Sequence, residues 1–120
     1  MALKITTREV DEVAVLALDG RIVLGEETSE LREKVKSLVG EGKKNIILNL
    51  SNVTLIDSAG LGALVTAHSS AKSRGASLRL SNLGTRFNEL LQITKLYTIF
   101  EISETEADAM RALAAKASAD

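Results

Sequence analysis

Asp57 and Ser58 stand side by side in the run Ile56-Asp57-Ser58-Ala59-Gly60-Leu61-Gly62, where an apolar stretch gives way to glycine and small residues. A hydroxyl next to a carboxylate is the strongest candidate for chemistry in the chain, so hydrolytic and phosphate chemistry are tested first. A serine hydrolase holds its nucleophile in a G-x-S-x-G elbow with a base in reach. Here the leading glycine position is Ile56, and the single histidine, His68, follows ten residues later. Along a helix that separation is about 15 Å, beyond hydrogen-bond reach. Gly60-Leu61-Gly62 opens a dinucleotide-type pattern, but the third glycine position is Val65, and no phosphate-binding G-x-x-x-x-G-K-[ST] loop occurs. An aspartyl phosphate needs neighbouring carboxylates to hold magnesium, yet Asp57 is the only acidic residue between Gly42 and Glu89. No catalytic residue, metal ligand or cofactor is assigned, and the chain is read as a non-enzyme.

Two readings of the junction remain open. Ser and Asp are favoured helix N-caps because the side-chain oxygen accepts a free backbone N–H. Alternatively, Ser58 is a phosphorylation switch. A phosphate there meets the free N–H groups and the positive end of the helix dipole, so the fold should survive. A partner docked over the turn would instead face roughly 1.5 to 2 added negative charges. Asp57, Ser58, Ala59, Gly60 and Gly62 form the expected partner-binding set, since little bulk there lets another chain approach the backbone. Gly60 is assigned to that contact, while tight internal packing explains Gly62 and Ala67 at least as well. The Ala63/Ala67 stripe offers a flat continuation of the surface, and His68 is expected to be half-buried beside Leu64 and Val65.

The elements that must position this junction are legible in the periodicity. Ile46, Leu48 and Leu50 on one face and Ile47 on the other make a central strand, while Leu61, Leu64, Val65 and His68 recur at helical spacing. Leu3 and Ile5, then Val13 to Leu18, suggest an extended pair ending at Asp19-Gly20, with a brief continuation into Leu24. Leu31, Val35 and Leu38 predict a helix that starts with Glu26, Glu27 and Glu30 and stops at Gly40 and Gly42. Gly75 is a natural stop for the helix after Ser58. Leu78 and Leu80 predict a further strand, and Phe87, Leu90, Leu91 and Thr94 the inner face of a helix from about Arg86 to Ile93. Tyr97 to Ile102 reads as a short extended piece. Ser103 and Glu106 have capping-box spacing, opening a last helix with Met110, Leu113, Ala114 and Ala117 inside.

Alternation of strands and helices after the first pair predicts one α/β domain over residues 1–120, with helices packed on a mixed sheet of four to five strands. Fifteen basic and sixteen acidic residues, evenly spread, leave no patch for nucleic acid or an anionic membrane. Zero cysteines and one histidine argue against a zinc site, and two phenylalanines with one tyrosine cannot build a base-stacking platform. The N-terminal MALKITTREVDEV has neither a basic region nor a long apolar run, so a cytoplasmic protein is expected.

The run VTLIDSAGLG, Val53 to Gly62, with the strand before it and the helix after it, resembles the signature of the STAS domain of bacterial anti-sigma-factor antagonists. The resemblance extends over nearly the whole element order, including SNLGTRFNELLQITKL. It implies a STAS-like fold with about four helices and, at Ser58, the serine that is phosphorylated by a kinase which is itself the anti-sigma factor. It implies further that the unphosphorylated form binds this kinase and releases sigma factor, and that a serine phosphatase resets phospho-Ser58. Two departures stand out. Ala59 replaces the second Ser or Thr of many members, removing only an alternative acceptor. Arg21 and Val23 replace the acidic pair of a G-E-[LIV]-D turn, which leaves the identity of the switch partner open. A scaffold or nucleotide-binding STAS module is the alternative, and the oligomeric state is expected to be monomer or weak dimer.

Overall fold

The first extended pair turns at Asp11 and Glu12, whose φ values of 49° and 68° give the left-handed backbone that matches a tight hairpin to the twist of its strands. A computed structural model describes residues 3–119, with side chains to position 115. Strand β1 (Leu3–Val10) therefore runs past the polar Arg8-Glu9 stretch before reversing into β2 (Val13–Ile22). After α1 (Glu26–Gly40) come β3 (Asn45–Ile56), α2 (Ser58–Ser73), β4 (Ser77–Ser81) and α3 (Thr85–Thr94). A 3₁₀ turn at Leu96–Thr98, β5 (Glu101–Ser103) and α4 (Glu106–Ala119) complete the chain. The sheet order is β1-β2-β3-β4-β5, antiparallel in the first pair and parallel thereafter. The architecture is the expected single α/β domain on a mixed sheet, with five strands and four helices among the described residues.

Three helices bury their apolar stripes on one face of the sheet. Leu31, Val35 and Leu38 of α1, Leu61, Leu64 and Ala67 of α2, and Phe87 and Leu91 of α3 close over Leu16, Leu18, Ile46, Leu48, Leu78 and Leu80. The other face is covered more thinly: α4 contributes Ala109 and Leu113 against Val13, Val15 and Ile47. Burial on both faces explains why β3 begins as an almost continuous apolar run. Helix α2 ends as its sequence implies, with Gly75 at φ 79° and the Ala76 N–H donating 2.8 Å to the Ala71 carbonyl. Gly42, at φ 94°, plays the corresponding part after α1, whereas Gly40 is still helical.

The C-terminal third departs from the sequence reading in four places. Tyr97 to Ile102 is not one extended piece: left-handed Lys95 (φ 61°) leads into the 3₁₀ turn, and only Glu101–Ser103 pairs with β4. Thr94 is exposed and spends its hydroxyl on the Leu90 carbonyl at 2.8 Å. The cap of α4 is Thr105, whose Oγ1 accepts the Asp108 N–H at 3.0 Å, because Ser103 is held in β5. On α4 the buried small residue is Ala109, while Ala114 is exposed and the side chain of Ala117 lies outside the described residues. Glu106, in the first turn of α4, receives Arg8 at 2.5 Å and the Asn49 amide at 3.1 Å, and the Arg8 guanidinium lowers its pKa.

Leu64 is fully buried where α2 meets the sheet. Leu64→Ala is expected to cost about 2 to 5 kcal/mol through lost burial plus a residual cavity, read as a lower urea midpoint at unchanged slope.

Candidate functional site

The junction between β3 and α2 is built by backbone and one carboxylate. β3 carries extra residues relative to β2, with register shifts between Ala17 and Asp19 and between Gly20 and Arg21, so its end is bent as it approaches Ile56. The Asp57 N–H then donates to the Ile22 carbonyl at 3.3 Å, fixing the turn to the end of β2. The Asp57 carboxylate faces both ways. One oxygen accepts the Gly60 N–H at 2.8 Å and caps α2; the other accepts the Leu24 N–H at 3.0 Å and ties down the loop leading to α1. Those donors, Leu24 first and Gly60 second, hold the Asp57 pKa below its ordinary value of 3.8.

Asp57 is therefore the N-cap, and Ser58 is the first helical residue. Ser58 is exposed, and its hydroxyl makes no hydrogen bond among the described residues. The capping reading of Ser58 is thus replaced: its neighbour does that work. Ala59 is half-buried beside it.

The two glycines exchange the parts assigned to them from sequence. Gly60 is buried, and a Cβ on it would lie 1.9 Å from the Ile22 oxygen and 2.9 Å from Ile56 Cγ1. It lacks a side chain because α2 crosses the end of β2 there, so it offers no surface to a partner. Gly62 is exposed, and a Cβ on it would meet nothing within 4 Å. Open surface, not tight packing, surrounds Gly62. The Ala63/Ala67 stripe is likewise no surface: both residues are buried, with Ala71, against the sheet. His68 is half-buried, as its spacing implies, and meets Phe100 edge-on at a centroid distance of 5.6 Å.

Sequence reasoning missed Leu24. It is 78% exposed, and its backbone is bonded to Asp57, which sets an apolar side chain beside the junction. The available signal was an apolar residue directly before Gly25, where a strand has already ended. Arg21 is exposed and pairs across to Leu55, while Val23 is half-buried. Arg21 and Val23 thus border the same turn and bring no negative charge to it.

Residues 4–109 match the family model described as the STAS domain. The chain belongs to the STAS domain family. Among curated relatives, an anti-sigma-B factor antagonist of Listeria monocytogenes is 32% identical over 112 residues, covering 90% of this chain and 93% of that protein. The anti-sigma-B factor antagonist of Bacillus subtilis is 40% identical over 73 residues, 61% of this chain and 66% of that protein. A Thermotoga maritima crystal structure assigned as an anti-sigma factor antagonist superposes with a TM-score of 0.83 at 28% identity, covering 90% of this chain and 92% of that one. Among the described residues of this STAS domain, no helix is long and apolar enough to cross a membrane.

The geometry separates the two glycines experimentally. Gly60→Ala should destabilise severely, by several kcal/mol, because backbone must move to admit the methyl group, whereas Gly62→Ala should be neutral or stabilising by up to about 1 kcal/mol. Thermal melts of the two variants check this. For Asp57, a depressed folded-state pKa means that its contribution is complete above the unfolded pKa and lost as pH falls through the folded value. Asp57→Asn is therefore expected to lower Tm at pH 7, with the gap to wild type narrowing below about pH 4.

Proposed function

We propose that this STAS domain is an anti-sigma-factor antagonist that works by partner switching, with Ser58 as the phosphorylated residue. One observation carries the reading: Asp57 caps α2, so the exposed Ser58 hydroxyl is free for modification at no cost in capping. Similarity to the Listeria and Bacillus antagonists supports the regulatory role, and a non-enzymatic one. In the unphosphorylated state, an anti-sigma factor that is also a serine kinase docks over Asp57, Ser58, Ala59 and Gly62, with the exposed Leu24 as an apolar anchor at the edge. Sigma factor is thereby released. Gly60 contributes from beneath, by letting α2 sit close enough to present the turn.

Phosphorylation acts on docking rather than on folding. The phosphate sits at the first residue of α2, where the helix dipole and free N–H groups favour negative charge. Added beside Asp57, which is already ionised and hydrogen-bonded, the new charge is presented outward to whatever covers the turn. A serine phosphatase acting on phospho-Ser58 returns the domain to its binding form, and the exchange takes place in the cytoplasm. Because Arg21 and Val23 stand beside the turn where the resemblance implies an acidic pair, the partner's matching surface needs no basic residues there, and a kinase with a different docking surface fits.

The test is a pull-down from the source lysate with wild type, Ser58→Ala and Ser58→Asp, each first shown to be folded by circular dichroism. Wild type and Ser58→Ala should retain a kinase-like protein, and Ser58→Asp should bind it at least about tenfold more weakly. Added ATP should release that protein from wild type alone. Equal retention by all three baits would remove Ser58 from the switch.

A further inference from the structure

Beyond the switch, a groove runs beside the junction on the far side of β3. Pairing between β3 and β4 stops at Asn49 and Ser81, so the rest of β3, to Ile56, extends past its neighbour. α3 lies alongside that overhang. Between them is a cleft of about 250 Å³ lined by Val53, Leu55, Ile56, Phe87 and Leu90, with Thr54 and Arg86 the polar residues. Thr54 is already engaged, its hydroxyl donating to the Gly20 carbonyl at 3.2 Å. Arg86 is the one charge on the lining and makes no ion pair or side-chain hydrogen bond among the described residues. The exposed Leu55, and Ile93 one helical turn beyond Leu90, extend the apolar surface outward.

We propose that this groove binds a medium-chain carboxylate, its alkyl chain along Val53, Leu55, Phe87 and Leu90 and its carboxylate on Arg86. The chemistry is set by the lining: a single unpaired guanidinium at an otherwise apolar cleft complements an amphipathic anion. The volume, just below the usual range for small-molecule sites, suits a short alkyl chain rather than a nucleotide, whose base and sugar would also need polar partners that the cleft lacks. Ile56 gives the site a link to the turn, since it lines the cleft and also abuts Gly60.

Octanoate is titrated into ¹⁵N-labelled full-length protein below its micellar concentration, with octanol as the neutral control. Binding at this groove predicts saturable amide shifts at Val53–Ile56 and Arg86–Leu90, and Arg86→Gln, a surface change that leaves the fold intact, should weaken octanoate at least about tenfold while leaving octanol unchanged. Leu90→Gln, checked for native amide dispersion, should weaken both ligands. Shifts that do not saturate, shifts that map elsewhere, or octanoate binding equally tightly to Arg86→Gln would overturn the assignment.

Discussion

The carbonyl oxygen of Ile22 occupies the place where a side chain at position 60 would begin. That close approach of α2 to the end of β2 is the constraint on which the junction depends. It demands glycine at 60, and it lets the same carbonyl accept the Asp57 N–H. With the turn so held, the Asp57 carboxylate can reach Gly60 on one side and Leu24 on the other. Three chain segments, the end of β2, the loop before α1 and the start of α2, are joined through two residues. Neither of those residues is Ser58.

This division of labour decides what modification can do. Had Ser58 been the cap, a phosphate on it would have exchanged one helix-end hydrogen bond for another and coupled signalling to stability. With Asp57 as the cap, the charge at Ser58 is added to a finished structure. Charges at a helix N-terminus are stabilised by the dipole only within the first turn, and Asp57 already supplies one there. A second negative group gains less from the helix and alters the exterior field more. The same separation leaves the half-buried alanine at 59 with no side-chain part in the capping.

Much of the scaffold was legible because periodicity reports burial directly. The central strand, the helix after it, the Gly75 stop and the placement of Phe87, Leu90 and Leu91 follow from spacing alone. The failures share a different cause. Gly60 and Gly62 have the same composition signal, and only the position of the Ile22 carbonyl, 38 residues earlier in sequence, tells them apart. The Ala63/Ala67 stripe could be read as a flat surface because flatness suits both a partner and a sheet; the sheet takes both, as the packing alternative for Ala67 had it. Ser103 and Thr105 both fit a cap, and pairing of β5 with β4 decided between them. Asp57 and Ser58 both suit a helix start by composition, and the Asp57 carboxylate takes the cap because it reaches the Gly60 N–H locally and the Leu24 N–H across the fold at once.

The length of β3 connects the junction to the rest of the molecule. Ile46 to Asn49 are paired on both sides, and Ile46, Ile47 and Leu48 are buried, which fixes the strand in the sheet. From Leu50 onward it is paired only to β2, and Ser51, Asn52, Thr54 and Leu55 are exposed. This overhang carries the Asp57 turn out beyond the C-terminal end of β4, the kind of crevice in which parallel sheets tend to hold their ligands. It also leaves one edge of β3 facing α3 across the apolar cleft. Ile56 is the residue common to both features. Ile56 and the Ile22 carbonyl together fill the space that a side chain at position 60 would take. The extended strand that presents the serine therefore places one of its own residues, Ile56, between the cleft and the start of α2.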